Sequence, residues 1–328
     1  MRKLILLFLF INFCTTAYNQ VIKGTILDEQ TKNPIMSASI YFNGTFVGTS
    51  SDMNGKFELD ISKYTSLPLT ISSIGYYSVT LIDFSDSGRF VISLTPMVYE
   101  LEEVIISNKL FKKRRRANLK LFKNEFLGTT FNALDCEIIN ENDITFTYSS
   151  DKDTIKAFAA KPIIIHNRSL GYKVTYYLDK FEYYKKSKAV FFYGNIIFNE
   201  DLSNDETQKN LFERRRKHTY LGSRMHFFRA LWSNDLLYSG FTVSGSRHNI
   251  FKYKNLVSKD YNNKKFLNYN KEVLEIAYNT NLSNITFLKS KVYFDQNGYF
   301  DPSGIIWNGE MAEQRIGDWL PYEYVVEK

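Results

Sequence analysis

Apolar and polar residues alternate along short stretches of the first third of the chain, and turn-forming residues separate these stretches. In the segment GKFELDI, Phe57, Leu59 and Ile61 alternate with charged residues, and the pattern recurs in residues 90–94. Such alternation is typical of strands with one buried and one solvent-facing side. Seven or eight runs of this kind within residues 21–107 predict a β-sandwich.

Between two of these strands, the tetrapeptide DMNG resembles the middle of a calcium-binding loop. An EF-hand loop needs an acidic first ligand, a Glu at its twelfth position and flanking helices. With Asp52 as third ligand, those two positions hold Ser50 and Ile61, and the flanks are predicted strands. Asp and Asn side chains bond to nearby backbone while Gly55 takes positive φ, so the sequence predicts a tight turn.

Residues 108–128 predict a basic helical linker, in which Asn108 caps the helix and Gly128 ends it. Four residues are expected near one helical face: Leu110, Ala117, Leu121 and Phe122. The block Lys112–Arg116 is the strongest run of charge in the chain. We interpret it as solvated helix surface, with attraction to anionic lipid or polysaccharide as the alternative.

Strand patterns return from about Asp135, so residues 129–328 predict a larger β-rich α+β domain. Its middle is helical, with Asp205 and Ser223 as predicted N-caps. After Ser223, apolar residues recur at the spacing of a helix packed on a sheet, namely Met225, Phe228, Leu231 and Trp232. Strands are predicted again in FTVSGS, EVLEIAYN and SNITFLKSKVYF, followed by a turn at residues 296–298. The fold class is therefore mainly β with some helix.

The N-terminus has the pattern of a secretory signal peptide, predicted over residues 1–17. Arg2 and Lys3 precede the apolar run Leu4–Ile11, and Ala17 stands at a small-residue cleavage position. The run is shorter than the ~20 apolar residues that span a bilayer. We expect an exported protein, periplasmic or associated with the outer membrane, with no transmembrane span in the mature chain.

Two cysteines bear on processing and stability. Cys14 follows the apolar run, which leaves lipidation open, but Phe13 stands where lipid attachment favours a small residue. Cleavage near Ala17 would leave Cys136 as the sole cysteine, so no intramolecular disulfide is expected.

Composition narrows the class of partner. With 44% apolar and 16% aromatic residues, the chain predicts packed globular structure throughout. Its net charge is +7, and losing Arg2 and Lys3 leaves 40 basic against 35 acidic residues, or +5. This excess is too mild to indicate a nucleic-acid partner.

The N-terminal strands resemble the carboxypeptidase regulatory-like domain, through GTILDEQTKNPIMSASIYFNGTFVGTSSDMNGKFEL, LTISSIGYYSVTL and LEEVII. The matching positions are Gly24, Asp28, Pro34, Ala38, Gly48, Asp52, Gly55, Phe57, Ile74, Gly75 and Tyr76. The resemblance implies a prealbumin-like seven-stranded sandwich, but fold does not imply function. The module is also similar to the extension before the plug of TonB-dependent receptors. We interpret Glu102–Ser107 as an edge strand, with contact to the TonB protein as the alternative.

The second region looks like exported proteins of uncharacterised role from Gram-negative bacteria. The matching landmarks are FKNEFLGTT, the segment around Cys136, PIIIHNRSLGYKVTYYLDKFEYY, YLGSRMHFFRAL and RIGDWLPYEY. The resemblance implies an architecture and a compartment, and no activity.

No motif in the chain predicts catalysis, a cofactor or a metal. A zinc peptidase needs His and Glu close together plus a further His, and none of His166, His218, His226 and His248 begins such a pattern. Ser246 and His248 lack an orienting acid in sequence. The pairs Glu102 with Glu103 and Asp201 with Asp205 are ordinary surface patterns, and no G-x-S-x-G elbow, P-loop or dinucleotide fingerprint is present.

The 23 Tyr and 27 Phe are the remaining compositional feature. Aromatic residues suit strands, and exposed ones also serve sugar stacking or protein interfaces. We therefore expect a non-catalytic binding or assembly role in the envelope, with an envelope protein or a glycan as partner. The alternative is an envelope hydrolase whose site is assembled from distant residues of the second region.

Overall fold

The computed structural model describes residues 20–62, 64, 66–82, 84, 89–97, 109–200, 203, 205–245, 249–268 and 273–326. The predicted signal peptide with Cys14, the segment Glu102–Ser107, the predicted helix cap Asn108, the pair Ser246 and His248, and Asp201 lie outside these residues. Of the described residues, 41% are in strands and 22% in helices, which confirms a mainly β fold.

Seven strands of the first third form a sandwich of two sheets, as the alternation predicts. They are β1 (Val21–Asp28), β2 (Ser39–Phe42), β3 (Gly48–Ser50), β4 (Lys56–Asp60), β5 (Leu69–Ser72), β6 (Val79–Leu81) and β7 (Arg89–Leu94). One sheet has the order β4-β1-β7, with β1 and β7 parallel, and the other has the order β3-β2-β5-β6. Apolar side chains of both sheets, among them Phe57, Leu59, Ile40 and Ile71, form one core.

The DMNG segment is the tight turn that the sequence predicts. Asp52 Oδ1 accepts hydrogen bonds from the backbone N–H groups of Asn54 and Lys56, each at 2.8 Å, and Gly55 has a φ of 71°. These backbone hydrogen bonds, that from Lys56 first, lower the pKa of the Asp52 carboxyl. The carboxylate therefore closes the turn between β3 and β4.

A 19-residue helix, α1 (Lys109–Leu127), follows the sandwich, and Gly128 ends it with a φ of 102°. The predicted face of this helix is partly wrong, because Ala117 is exposed, while Asn118, Phe122 and Phe126 are buried along one side, together with the last helical residue, Leu127. Asn118, Phe122 and Phe126 stand four residues apart and so share one stripe. The helix is more than a linker, since Phe122 and Phe126 are fully buried in the core of the next sheet.

That next sheet has six strands: β8 (Cys136–Ile138), β9 (Ile144–Tyr148), β10 (Thr154–Ala159), β11 (Ile163–Asn167), β12 (Tyr172–Tyr184) and β13 (Ala189–Glu200). Its order is β8-β11-β12-β10-β9, and β13 pairs along the other side of β12. The hairpin β12–β13 dominates the sheet, with a bulge between Leu178 and Lys180. Its inner face buries Val174, Tyr176 and Phe181 against α1.

Residues beyond 200 build a second core within the predicted β-rich α+β domain, while Tyr220, Ile316 and Leu320 join the core of the six-stranded sheet. The helices are α2 (Phe131–Leu134), α3 (Glu206–Tyr220), α4 (Arg224–Trp232), α5 (Tyr253–Leu256) and α6 (Glu310–Glu313). Asp205 and Ser223 cap α3 and α4 with their side chains, as predicted. The predicted stripe of α4 is confirmed in part, because Phe228 and Leu231 are buried in this second core and Trp232 packs against it, whereas Met225 packs against the core of the six-stranded sheet.

Two further sheets pack against α4. The strands are β14 (Phe241–Ser244), β15 (Val257–Lys259), β16 (Lys265–Asn268), β17 (Leu274–Tyr278), β18 (Asn281–Phe287), β19 (Lys291–Phe294) and β20 (Ile305–Gly309). Their orders are β14-β17-β18-β20 and β15-β16-β19. The sequence pattern predicts no strand at three of these positions, namely β15, β16 and β20. The predicted turn at residues 296–298 is confirmed, and Gly298 there has a φ of 86°.

Candidate functional site

The outer face of the hairpin β12–β13 is divided into two halves. The covered half contains Tyr177, Asp179, Asn195 and Ile197, and the sandwich packs over it. The open half contains Lys180, Glu182, Tyr184, Phe191 and Tyr193. Cross-strand pairing fixes this grouping, because directly opposed residues of an antiparallel pair lie on the same face.

The covered half binds the sandwich through an aromatic stack and hydrogen bonds. The rings of Tyr177 and Tyr41 stack with centroids 5.5 Å apart, and the Tyr177 hydroxyl donates to Ser39 Oγ at 2.7 Å. Asp179 accepts from Asn195 Nδ2 at 3.1 Å and from Ser78 Oγ at 3.4 Å. Tyr41 is fully buried, so this contact is part of the folded core.

Asp179 is the carboxyl group of the covered half whose ionised form is disfavoured by burial. Burial raises the pKa of its carboxyl to about 6, and the hydrogen bond from Ser78 opposes the rise. Because a buried carboxylate loses hydration, its charged form is disfavoured. The contact between sandwich and hairpin is therefore sensitive to the ionisation of one side chain.

The loop between β2 and β3 also covers the edge of β13. Thr45 and Phe198 are joined by a hydrogen bond from the Phe198 N–H to the Thr45 carbonyl, at 3.0 Å. Gly44 has a φ of 80° and lies beneath the ring of Tyr322. The backbone N–H of Tyr322 donates to the Gly44 carbonyl at 2.8 Å. Glu323 accepts from the Phe46 N–H at 2.9 Å. These bonds hold the C-terminal segment, the sandwich and the hairpin together.

The open half exposes aromatic rings where the sandwich stops. Phe191 and Tyr193 are 50% and 52% exposed, and Tyr184 is 36% exposed. The rings of Phe191 and Tyr193 meet edge to face at 5.7 Å with an interplanar angle of 68°, and Lys180 Nζ lies 5.4 Å from the Phe191 ring centroid. Large half-exposed aromatics on a rigid strand are typical of interface residues.

A charged ladder crosses the open half beside these rings. Glu182 forms ion pairs with Lys180 at 3.2 Å and Lys156 at 3.9 Å, and accepts a hydrogen bond from the Tyr184 hydroxyl at 2.8 Å. Burial acts to raise the pKa of Glu182, but the hydrogen bonds from Tyr184 and Lys180 outweigh it and lower the pKa. Glu182 is therefore ionised at neutral pH and fixes the neighbouring side chains.

A cleft of about 430 Å³, the junction cleft, lies between α3 and the sheet β14-β17-β18-β20. It brings together residues from distant segments, including Thr130, His218, Ser283 and Asp318. Asp318 accepts from Thr130 Oγ1 at 2.8 Å and from Asn132 Nδ2 at 2.8 Å. Burial raises the pKa of Asp318. Its hydrogen bonds tie α2 to the C-terminal segment.

The described histidines occupy three different environments. His166 lies on β11, and His218 is exposed in the last turn of α3, at the junction cleft. His226 is buried, and its Nδ1 accepts from the Gly222 N–H at 3.1 Å. Burial and, to a lesser extent, the nearby Arg229 lower the pKa of His226 to about 4, so it is neutral at pH 7. His248 lies outside the described residues.

The other candidate groups have structural partners. The Cys136 thiol donates to the Asn132 carbonyl at 3.4 Å, and burial raises its pKa to about 12. Asp205 caps α3, as described above. Over the described residues, no group of three or more His, Cys, Asp or Glu side chains is arranged to hold a metal ion.

The open half is the feature that sequence reasoning did not locate. Its residues stand in the aromatic segments YKVTYYLDKFEYY and AVFFYG, but composition alone does not say which rings are buried. The informative signal is the alternation itself, since Phe191 and Tyr193 occupy positions that face away from the core residue Phe192 between them.

Among the helices that the structure describes, none has the length and apolar character needed to cross a membrane.

Comparison with protein families identifies the first domain. Residues 22–106 match the model of the CarboxypepD_reg-like domain, which confirms the resemblance of the sandwich. A search of curated proteins finds no significant match. The matched domain covers less than half of the chain.

Similarities to solved structures are weak. A type II cohesin–X-dockerin complex from Acetivibrio cellulolyticus is 22% identical, with 24% of this chain and 55% of that chain covered and a TM-score of 0.19. The chain thus spans about half the length of that structure. A Bacteroides fragilis protein of unknown function is 10% identical, with 88% and 94% covered and a TM-score of 0.19. Neither similarity carries a functional argument.

Proposed function

We propose that this protein is exported to the periplasm or outer membrane and has a non-catalytic binding or assembly role there. The N-terminal signal-peptide pattern and the CarboxypepD_reg-like domain support this proposal. Within the second region, the open half of the hairpin is the surface that binds the partner, and the partner is an envelope protein.

One observation carries the proposal: a single sheet face already binds a folded β-sandwich along one half and continues uncovered along the other. Phe191 and Tyr193 extend from the open half as rigid aromatic groups, and a charged ladder lies beside them. Aromatic anchors with a polar surround are common in protein interfaces. The interplanar angle of 68° between the two rings gives no flat platform for a sugar, which favours a protein partner over a glycan.

The test is affinity capture of the tagged protein from crosslinked native envelopes, followed by mass spectrometry. We expect one envelope protein to be recovered with the wild type and lost with the double variant Phe191→Ala and Tyr193→Ala. The matched control is Tyr238→Ala with Tyr261→Ala, because those rings are 96% and 93% exposed elsewhere on the molecule. Recovery of the partner should survive in the control.

Two results would contradict the proposal. If the same partner is recovered with the open-half variant, that face is not the binding surface. If intact-mass measurement of the native protein shows an uncleaved N-terminus in a cytosolic fraction, the protein is not exported.

A second candidate function is an envelope hydrolase, which the junction cleft favours because it gathers His218, Ser283 and Asp318 from distant segments. Asp318 is engaged by Thr130 and Asn132, so we rank hydrolysis below binding. Screening the purified protein and a His218→Ala variant against envelope peptides and glycans tests it. Turnover that disappears in the variant would establish the hydrolase.

A further inference from the structure

Helix α1 has a basic stripe on its solvent side, formed by Lys112, Lys113, Arg116 and Lys120. All four residues are exposed. Lys112, Arg116 and Lys120 follow one another at four-residue intervals, so they project from the same side of the helix. None of the four forms an ion pair with any residue that the structure describes.

The opposite side of α1 fixes the direction of this stripe. Phe122 and Phe126 are fully buried in the core of the six-stranded sheet. Arg115 also turns toward the protein, where it donates to the carbonyls of Ile144 at 2.7 Å and Glu141 at 2.8 Å. Because this packing sets the roll of the helix, the basic stripe points away from the molecule.

The stripe is unfavourable for the isolated helix. Like charges at four-residue spacing repel each other, and cations near a helix N-terminus oppose the helix dipole. The first turn contains no acidic residue to offset them. The only carboxylate within α1 is Glu125, whose position falls on another side of the helix. A negatively charged partner would offset this repulsion.

We propose that the basic stripe binds the anionic headgroups of a lipid surface. The four side chains span about 12 Å along the helix, at 1.5 Å per residue. They line neither the junction cleft nor a second pocket, which lies on the sandwich and is lined by residues that include Asp28 and Tyr76. They therefore present a row of charges to a surface, rather than converging on one anion. The stripe has no aromatic residue for stacking on sugars, so polysaccharide is the weaker choice.

Co-sedimentation with vesicles tests the inference on the full purified chain. We expect binding to equimolar phosphatidylcholine and phosphatidylglycerol, weakening as salt rises, and no binding to phosphatidylcholine alone. Replacing Lys112, Lys113, Arg116 and Lys120 by Gln should weaken binding about tenfold or more. Replacing the three lysines by Arg should preserve it, because the charges remain.

The matched control changes four exposed lysines beside the second core to Gln, namely Lys252, Lys254, Lys259 and Lys264. It removes the same charge and should leave vesicle binding unchanged. Equal loss in both variants would overturn the inference, because net charge would then explain it. Binding to dextran sulfate that depends on the stripe, without binding to vesicles, would also overturn it. Neither outcome bears on partner capture by the open half.

Discussion

The two halves of the hairpin's outer face use similar residues in opposite ways. In the covered half, Tyr177 stacks on Tyr41, and its hydroxyl donates to the half-buried Ser39. In the open half, Tyr193 meets Phe191 on the same strand and remains half exposed. The bulge between Leu178 and Lys180 lies at the boundary between them. An aromatic strand becomes core or interface according to what packs over it.

The largest expected effect comes from removing the aromatic stack of the covered half. Tyr41→Ala should lower the free energy of unfolding by about 3 to 5 kcal/mol, because it empties a fully buried ring site and leaves Tyr177 without its stacking partner. Urea denaturation measures the change. A loss below about 1 kcal/mol would mean that the sandwich and hairpin are not held by this contact.

Gly44→Ala should disturb the edge of the covered half. Gly44 has a φ of 80°, and an added Cβ would lie 2.6 Å from the Tyr322 ring. Strain in the left-handed region and this clash together should cost about 2 kcal/mol. Thermal unfolding would reveal the loss, and Gly75→Ala is the matched control because its φ is also positive but its surroundings are open.

Asp179 makes the covered half dependent on pH. Its folded pKa of about 6 exceeds the ordinary value of 3.8, so the folded state binds a proton more readily than the unfolded state. The resulting stabilisation is complete below about pH 3.8 and is lost as the pH rises through 6. Asp179→Asn should therefore stabilise the protein at pH 7.5, by about 1 to 2 kcal/mol after allowance for partial exposure.

The measurement for Asp179 is the difference in unfolding free energy between wild type and variant from pH 4 to 7.5. Taking the difference cancels the titration of the other carboxyl groups. The gain from the variant should grow with pH across this window. A difference that does not change with pH would contradict the raised pKa.

The smallest expected effect is in the open half. Phe191→Ala with Tyr193→Ala should change the free energy of unfolding by less than about 0.5 kcal/mol per residue, because both rings are half exposed already. The same variant is expected to lose the captured partner. Urea denaturation beside the capture experiment separates binding from folding, and a large destabilisation would show that the rings belong to the fold.

Much of the first domain could be predicted from sequence because its signals are local. Strand alternation such as that of Phe57 and Leu59 follows from the period of two, and the Asp52 turn closes through bonds to its own neighbours. The caps Asp205 and Ser223 were predictable for the same reason. Lipidation and export stay predictions, since their residues lie outside the described part of the chain.

The second region was harder to predict. Helix α1 buries Asn118 where Ala117 was expected, because hydrogen bonds from Arg115 and packing of Phe122 set its roll. Strands β15 and β16 have only three and four residues, which is too short for a clear alternation. Strand β20 pairs with β18, although β19 lies between them in sequence.

The individual strands of the sandwich, the cap residues and the basic charge of α1 could be predicted from sequence, because each depends on residues close together along the chain. Which aromatic rings are covered and which carboxyl groups are buried depends instead on packing between segments that are distant in sequence. Tyr177 and Tyr193 have the same side chain and lie on the same sheet face. Their difference arises because the sandwich desolvates one half of that face and stops before the other.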